Sequence, residues 1–390
     1  MIKEKYIDTI KSRVDISQLV MDLCPGTSLL NAGKNRKKCC CVFHSEKTPS
    51  LMLDLSLNMF KCFGCGKGGD IISFVQELKG FDFVEAVKFL LKTYCPDVDT
   101  SDLYSKQTDD EIEAEQHRES LFICNKFAYD FFRQQYEADC EESARCRLYA
   151  EDRWEREFCK TLGVGYAPLK GNQFLAFARK QGLKTELLLE LGLIAQEEDH
   201  PDHYYDFYRG RLMIPQRDRY GRIVTFTARS LNPQATNKYL NGKDSPIYKK
   251  SLSIFGIDVA LKAARQSGKV YLVEGAPDVM RLQSLGIPNV VASLGSAWSK
   301  EQLNTFSRFG CSLCFIPDAD VPKEGERFGK GEQFVFKNGR LATELGFQVS
   351  VREIPSDGKV KQDADSYITS MEQWETLTEK DFILWYANKH

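Results

Sequence analysis

The chain has 390 residues, of which 42% are hydrophobic and 28% are charged, with a formal net charge of −2 at pH 7. This length predicts two or three domains, and the composition is that of a soluble globular protein rather than a globally basic nucleic-acid coat. The absence of any apolar run of about eighteen residues excludes a membrane-spanning helix. The charged N-terminus, MIKEKYIDTIKSR, excludes a secretory signal. Thirteen cysteines in such a chain indicate reduced thiols in a cytoplasm and favour metal binding over disulfides.

The first hundred residues read as helices around a strand-rich segment. Residues 5–23 place apolar side chains on one face and predict a single helix. The alternation in PSLMLDLSLNMFKCFGCGKGGD predicts strands with a turn near residues 56–58. Two amphipathic helices follow, of which the first is capped by Asp70 and ended by Gly80. Residues 100–117 are polar and acidic, which indicates either a linker or the solvated start of a helix.

The rest of the chain changes pattern twice. Residues 118–200 have a helical pattern, and residues 204–240 contain two apolar runs around a charged turn at Gly221, which predict strands. After residue 268, short apolar runs alternate with amphipathic segments. This alternation predicts a parallel, doubly wound sheet, so we expect a multidomain protein of mixed α+β and α/β class.

Two pairs of potential metal ligands lie near the N-terminus, in a CxxH pair and a CxxC pair separated by seventeen residues. Two-residue spacers let both side chains of a pair face one ion, and four N and S ligands suit a closed, structural Zn²⁺ site. The alternative is a set of buried free cysteines. Two neighbours, Cys39 and Cys40, lack the required spacing and are assigned to strand packing, with Cys40 as the alternative ligand. The candidate zinc ligands are Cys41, His44, Cys62 and Cys65.

Acidic residues follow two of the predicted parallel strands. Ligands of open α/β sheets bind at the carboxyl ends of strands, and grouped carboxylates suit Mg²⁺ or Mn²⁺ held jointly with a phosphate. For a single acid such as Asp278, the alternative is charge complementarity to the first turn of the next helix. The candidate ligands are Glu274, Asp278, Asp318 and Asp320, with a second pair at Asp363 and Asp365.

Residues 209–250 are strongly basic, with ten Lys or Arg residues against only two acids, Asp218 and Asp244. Tyr239 and Tyr248 are interleaved with these cations. Such a segment is either a solvated charged face or a surface for the phosphates and bases of single-stranded nucleic acid. The basic cluster GKNRKK beside the zinc ligands favours nucleic-acid binding.

The segment CVFHSEKTPSLMLDLSLNMFKCFGCGKGGDIISFVQE resembles the zinc-binding domain of the bacterial and phage DnaG-type DNA primases. GVGYAP, YRGRLMIPQRDRYGRIVTFTARSL and NKYLN resemble the RNA polymerase core of that family, and VEGAPDVMRLQSLGIPNVVASLGSA and PDAD resemble its Toprim motifs. The resemblance covers residues 5–370. It implies a zinc-ribbon-type domain (1–100), a linker (101–117), an α+β core subdomain with a basic ridge (118–267), a Rossmann-like Toprim subdomain (268–355) and a C-terminal metal-site segment with helices (356–390).

The resemblance implies synthesis of short RNA primers on single-stranded DNA from ribonucleoside triphosphates during replication. It implies one structural Zn²⁺ per chain and catalytic Mg²⁺ or Mn²⁺. The implied catalytic residues are Glu274, Asp278, Asp318 and Asp320. The implied magnesium ligands are Glu274, Asp318, Asp320, Asp363 and Asp365. The implied contacts to template and nucleotides are Arg153, Arg209, Arg211, Arg229, Lys238 and Lys250.

Further implications concern assembly and origin. The resemblance implies a monomer in the cytoplasm of a bacterial cell or phage-infected host, with a replicative helicase as a partner. Its zinc domain would help to choose the start site and could act on the core of a neighbouring molecule. The sequence departs from the family at Val42, where proline is usual, and in a charged insertion at 321–331. The usual C-terminal helicase-binding domain is missing, which fits a phage or mobile-element primase, a truncated chain, or the front half of a primase–helicase.

Two other functions are compatible with the motifs. One is a non-catalytic zinc module that binds DNA and recruits a helicase, although such a protein has no need for clustered carboxylates. The other is a Toprim nuclease. A Toprim topoisomerase would need a further catalytic tyrosine domain of several hundred residues, for which no room remains.

Overall fold

Contacts within the computed structural model divide the chain into two units, Met1–Ile112 and Glu113–Ser307 with Cys311–His390. The structure describes residues 2–103, 109–295, 297–307, 310–322, 324–356 and 360–389. Within these residues, no helix combines the length and the apolar character that crossing a membrane requires.

The first unit is a five-stranded antiparallel sheet with two pairs of helices. Its strands are ordered β1-β2-β3-β4-β5, and its core takes side chains from both the sheet and the helices. The elements are α1 (Glu4–Arg13), α2 (Ile16–Leu23), β1 (Leu30–Asn31), β2 (Arg36–Cys39), β3 (Leu51–Asp54), β4 (Met59–Cys62), β5 (Gly68–Asp70), α3 (Ile71–Lys79) and α4 (Phe83–Tyr94).

The prediction of one helix over residues 5–23 is wrong, because the chain breaks between α1 and α2. Asp15 is the N-cap of α2, and its carboxylate accepts hydrogen bonds from the backbone N–H groups of Ser17 and Gln18. The side chain of Asn58, in the β3–β4 turn, accepts from Ile16 N–H and donates to the Val14 carbonyl. These side chains satisfy backbone groups that a helix break would otherwise leave unpaired.

The second unit begins with helices around a four-stranded antiparallel sheet, ordered β11-β10-β9-β6, and a separate hairpin of β7 and β8. The predicted strand pair around Gly221 is the β9–β10 hairpin. The short strands β6 and β7 interrupt the region predicted to be helical, because three residues are too few to show a strand period. The elements are α5 (Asp109–Glu137), α6 (Glu141–Trp154), α7 (Arg156–Leu162), β6 (Gly165–Ala167), α8 (Gln173–Lys180), α9 (Thr185–Glu190), β7 (Ile194–Gln196), β8 (Tyr204–Asp206), β9 (Arg211–Arg217), β10 (Ile223–Ser230) and β11 (Tyr239–Asn241).

The second sheet of this unit has the order β13-β12-β14-β15-β16, with the first four strands parallel. The predicted parallel, helix-flanked sheet and the mixed α+β and α/β class are therefore confirmed. The elements are α10 (Ile257–Ser267), β12 (Lys269–Val273), α11 (Ala276–Ser284), β13 (Val290–Ala292), α12 (Lys300–Ser307), β14 (Ser312–Phe315), α13 (Lys330–Glu344), β15 (Val349–Arg352), α14 (Ala364–Tyr367), α15 (Met371–Thr376), β16 (Glu379–Asp381) and α16 (Phe382–Lys389).

Two stretches differ from expectation at the edges of these units. The C-terminal segment, for which only helices were predicted beside the metal-site residues, also contains β16. This strand pairs antiparallel with β15 and extends the sheet beyond residue 355. In the predicted linker, residues 104–108 lie outside the described residues, and α5 begins at Asp109. The acidic residues 109–117 are therefore the start of a helix, the second of the two interpretations.

The cap at Asp15 gives a stability prediction. Asp15→Ala removes the acceptor for two N–H groups at the start of α2, so we expect the free energy of unfolding of the first unit to fall by about 1 kcal/mol. Chemical denaturation followed by circular dichroism measures the change. The matched control is Asp8→Ala, at an exposed position within α1. Equal effects of the two substitutions would contradict the capping role.

Candidate zinc centre and candidate active site

Four potential ligands converge in the first unit: the donor atoms of Cys41, His44, Cys62 and Cys65 all lie within 4.8 Å of one another. The sulfurs of Cys41 and Cys65 are 3.9 Å apart, and the Cys62 sulfur lies 3.9 Å from His44 Nδ1. Two thiolates bound tetrahedrally to one zinc ion lie about 3.8 Å apart, because each Zn–S bond measures about 2.3 Å. The donor set therefore fits a closed tetrahedral zinc site.

Glu46 organises this site, although the sequence analysis did not identify it. Its Oε1 accepts hydrogen bonds from the backbone N–H groups of Cys41, at 2.6 Å, and Ser50, at 3.0 Å. Its Oε2 lies 3.2 Å from His44 Nε2. A carboxylate at Nε2 favours the tautomer with hydrogen on that nitrogen, which leaves the Nδ1 lone pair for a metal ion. In the sequence, the position of Glu46 two residues after His44 could have indicated this role.

The protein stabilises one thiolate of this site by itself. Burial opposes ionisation of Cys62, but hydrogen bonds with the Ser50 hydroxyl and the Cys65 N–H outweigh it and lower the pKa of Cys62 to about 6. Burial raises the pKa of Cys41 to about 12. Cys41 thus keeps its proton unless a bound cation replaces it, as metal coordination by a thiol requires.

The other two cysteines of the triplet have different surroundings. Cys39 ends β2 and is buried in the core of the first unit, whereas Cys40 is exposed. Among the residues that the structure describes, the four-donor group contains neither of them. This placement supports Cys41 as the partner of His44.

A second cluster forms at the parallel sheet, where carboxylate oxygens of Glu274, Asp318 and Asp320 lie within 4.8 Å of one another. Strands β12 and β14 are parallel neighbours, paired through Leu272 and Phe315. Glu274 directly follows β12, and the aspartates follow β14 after two further residues. Because both strands end at the same edge, their terminal acids meet there, where α/β sheets bind ligands.

Two of these carboxylates, Glu274 and Asp318, have raised pKa values. Burial and the charge of Asp318 raise the pKa of Glu274 to about 7. Burial raises the pKa of Asp318 to about 6, although the Lys361 ammonium partly offsets that effect. A divalent cation would remove the cost of placing negative charges together, and carboxylate oxygens are the ligands that hard cations prefer.

Lys361 is the cation that the described structure places on this cluster. Its Nζ lies 2.7 Å from an oxygen of Asp318 and 2.9 Å from an oxygen of Asp320. The backbone beside it is fixed, because Ala319 and Gln362 exchange two hydrogen bonds of 2.7 and 3.1 Å. The lysine side chain is 53% exposed. The sequence did not predict that Lys361 lies at this cluster, because its two partners lie about forty residues earlier.

The remaining predicted acids lie next to this three-carboxylate group. Asp278 is buried, and its two oxygens accept from the N–H groups of Gly275, at 3.0 Å, and Asp365, at 3.1 Å. Burial and the charge of Asp318 raise its pKa well above the usual range. Asp363 caps α14 by accepting from Ser366 N–H. Asp278 and Asp363 thus have backbone partners of their own.

Asp365 directs its carboxylate to a different set of partners. It forms an ion pair with Arg153, accepts a hydrogen bond from Trp154 Nε1 at 3.0 Å, and lies 3.4 Å from Arg281 Nε. Its side chain is fully buried. The described structure therefore places Asp365 as an anchor for two arginines, and its role as a magnesium ligand stays a prediction of the resemblance.

Two of the predicted basic residues lie beside these acids. Arg153 lies in the last turn of α6 and Arg229 lies on β10. Both donate to the hydroxyl oxygen of Tyr149, at 3.0 and 3.1 Å. The phenol of Tyr239 lies among the charges of both arginines and of Asp278. Part of the basic segment is thus brought to the acidic edge of the parallel sheet.

The other predicted basic residues are arranged around the same unit. Lys250 lines a cavity of about 570 Å³ together with Ser293, just beyond the carboxyl end of β13. Lys238 is exposed immediately before β11. Arg209 and Arg211 each donate to a neighbouring protein oxygen, at 2.7 and 3.1 Å. Lys238, Lys250 and Arg209 are exposed, whereas Arg211 is half-buried.

Three family models match the chain. The CHC2 zinc finger matches residues 2–106, the N-terminal domain of the DNA primase catalytic core matches 100–261, and the Toprim-like domain matches 271–368. DNA primase of Clostridium acetobutylicum is 31% identical over 370 residues, which are 94% of this chain and 57% of that protein. The chain thus spans little more than half the length of this curated relative.

Solved structures give a similar result. The zinc-binding and RNA polymerase domains of Aquifex aeolicus primase match with a TM-score of 0.58 and 26% identity, covering 96% of this chain and 86% of that one. The RNA polymerase domain of Mycobacterium tuberculosis DnaG in complex with double-stranded DNA matches with a TM-score of 0.58 and 25% identity, covering 69% and 83%.

The fold and the matching models define a protein with a CHC2 zinc finger, a primase-type catalytic core and a Toprim domain that binds a divalent metal ion. The chain belongs to the DnaG-type primases.

The zinc ligands can be tested within the cysteine triplet. We expect Cys41→Ser to lose stoichiometric zinc, because its thiolate completes the four-donor set, and to lower the melting temperature of the first unit. Zinc content is measured by atomic absorption. The matched controls Cys39→Ser and Cys40→Ser should each keep one ion per chain. Full zinc content in Cys41→Ser together with loss in Cys40→Ser would assign Cys40 as the ligand.

Lys361 gives a separate metal-binding prediction. Lys361→Ala removes a cation that competes for two of the three clustered carboxylates, so we expect the affinity for Mn²⁺ to rise roughly fivefold. Electron paramagnetic resonance titration of free Mn²⁺ measures this without any turnover. The matched control is Lys380→Ala, whose lysine is 51% exposed and pairs with Glu353 instead. Unchanged or weaker Mn²⁺ binding in Lys361→Ala would contradict the competition.

Proposed function

We propose that this chain is a DNA primase that synthesises short RNA primers on single-stranded DNA from ribonucleoside triphosphates during replication. The observation that carries this proposal is the clustering of Glu274, Asp318 and Asp320 within 4.8 Å at one edge of a parallel sheet. Arg153 and Arg229, the second of which belongs to the basic segment, lie near these acids. A purely DNA-binding protein would gain nothing from burying negative charges near a phosphate backbone, because they repel it.

We assign Mg²⁺ or Mn²⁺ to this cluster, with Glu274, Asp318 and Asp320 as the residues that would hold it. When bound, such an ion lowers the pKa of the attacking 3′-hydroxyl and neutralises charge on the triphosphate. Asp278 supports Glu274 by fixing the Gly275 backbone through its hydrogen bond of 3.0 Å. Asp363 and Asp365, next to this group, are the further candidate ligands that would complete the metal site.

The basic residues would bind template and nucleotides through phosphates. Arg153 and Arg229 lie near the acids, and exposed Lys238 and Lys250 extend the positive surface. Arginine and lysine contacts to phosphates supply affinity without sequence preference, and this binding weakens with salt. The related DnaG domain of Mycobacterium tuberculosis, which was solved with double-stranded DNA, supports a nucleic-acid partner for this region. Arg209 and Arg211 would complete the surface.

In this proposal, the first unit recognises the template sequence at which the polymerase core begins a primer. Cys41, His44, Cys62 and Cys65 hold one structural zinc ion in a domain of residues 1–100. The linker (101–117), the core subdomain (118–267), the Toprim subdomain (268–355) and the metal-site segment (356–390) follow. We assign the zinc domain a role in selecting the start site, on its own core or on that of a neighbouring monomer. A replicative helicase in the bacterial cytoplasm is the proposed partner.

Primer synthesis is tested by incorporating labelled ribonucleotides on single-stranded DNA with Mg²⁺ or Mn²⁺. We expect Asp318→Asn and Asp320→Asn each to reduce the rate about 100-fold or more, because losing a metal ligand forfeits several kcal/mol of transition-state stabilisation. The matched control Asp130→Asn, which removes only an exposed pair with Lys126, should keep full activity.

The same assay separates the alternatives. A wild-type chain that makes no RNA, or full activity in Asp318→Asn, would overturn the primase proposal. Metal-dependent cleavage of a labelled strand without nucleotides would identify a Toprim nuclease instead. Salt-sensitive DNA binding without either reaction would identify a non-catalytic, helicase-recruiting module.

A further inference from the structure

The hydroxyl of Tyr149 is shared by two arginines from different elements of the second unit. Arg153 Nη1, at the end of α6, donates to it at 3.0 Å, and Arg229 Nε, on β10, donates at 3.1 Å. A phenolic oxygen can accept two such bonds. Two cations that would otherwise repel each other are thus held by one neutral oxygen.

Aromatic rings fix the planes of the two guanidinium groups. The carbon at the centre of the Arg153 guanidinium lies 5.4 Å from the centre of the Tyr149 ring and 5.3 Å from that of Trp154. The corresponding atom of Arg229 lies 4.8 Å from the Tyr239 ring centre. Cation–π contacts of this kind stabilise a guanidinium group in a partly buried place. Each arginine is therefore held in both position and orientation.

The far side of Arg153 is tied to the metal-site segment. Arg153 Nη2 pairs with the buried carboxylate of Asp365, which also accepts from Trp154 Nε1. The backbone N–H of Asp365 in turn donates to Asp278, at 3.1 Å. A continuous set of contacts consequently runs from Arg229 through Tyr149 and Arg153 to the acids at the sheet edge.

We propose that Tyr149 is a positioning residue that holds Arg153 and Arg229 for contacts with phosphates of the template or nucleotide. In this role, the Tyr149 hydroxyl group does not itself contact the substrate. Arg229 contacts Tyr149 only through Nε, so that contact does not engage the two terminal nitrogens of its planar guanidinium group. Those nitrogens suit the paired oxygens of a phosphate. A guanidinium group that is already held in place loses less conformational entropy when it binds a phosphate than a freely moving arginine does.

The inference rests on the proposed function, but DNA binding tests it without turnover. Tyr149→Phe keeps the ring and removes only the shared oxygen. In fluorescence anisotropy with labelled single-stranded DNA, we expect its affinity to fall about fivefold to tenfold, as for a lost hydrogen bond to a charged group. The slope of log K against log salt should shrink by about one, because one phosphate contact is lost.

Two further variants separate positioning from a structural role. Tyr136→Phe is the matched control, because the buried Tyr136 hydroxyl has no hydrogen-bond partner among the residues that the structure describes. Both its affinity and its salt slope should match those of wild type. In an Arg229→Lys background, Tyr149→Phe should have little effect on DNA affinity or salt slope. Lysine lacks both the Nε donor that contacts Tyr149 and the planar guanidinium group. A merely structural tyrosine would lower the melting temperature and leave the salt slope unchanged.

The outcomes distinguish this inference from the proposed function. Wild-type affinity and salt slope in Tyr149→Phe, or fully additive effects of Tyr149→Phe and Arg229→Lys, would overturn the positioning role alone. Failure of the wild-type chain to bind DNA would overturn the proposed function together with it. In the priming assay, a positioning role predicts a rise in KM for nucleotide or template that exceeds the fall in kcat.

Discussion

The parallel pairing of β12 with β14 is the constraint on which the candidate active site depends. It brings Glu274 and the two aspartates after β14 to one sheet edge, where burial and repulsion raise the pKa values of Glu274 and Asp318. Such a concentration of carboxylates is unfavourable unless positive charge accompanies it. The surroundings supply that charge in two ways, through the partly exposed ammonium of Lys361 and through the two arginines anchored by Asp365.

The two metal-binding regions obtain their geometry from different sources. At the zinc centre, tight turns carry the ligands, and Glu46 holds the first turn through two backbone N–H groups and the His44 ring. At the acidic cluster, the pairing of two strands distant in sequence brings the acids together. A local sequence motif therefore does not predict these contacts across the sheet. The first site is closed by four protein donors, which suits a structural ion, whereas three carboxylates at a sheet edge leave room for substrate oxygens.

The sequence was most informative where a pattern is local. Alternating strands and helices predicted the parallel sheet, and two-residue spacings singled out the four donors that the structure brings within 4.8 Å. It was least informative where partners are distant. Tyr149 receives Arg229 from eighty residues away, and Lys361 has no motif of its own. The break at Asp15 was missed because an apolar stripe continues through both helices, and β16 was missed because three exposed residues show no period.

The charged insertion at 321–331 is tied to the candidate metal site at its C-terminal end. The insertion ends where α13 begins, and there Gly331 N–H donates to an oxygen of Asp320 at 2.9 Å. A Cβ on Gly331 would lie 2.0 Å from the Asp318 carbonyl oxygen, so only glycine lets the helix start this close to the aspartates. The N-terminal dipole of α13 therefore faces the acids. The hydrogen bond from Gly331 ties the end of the insertion to the aspartates of the candidate metal site.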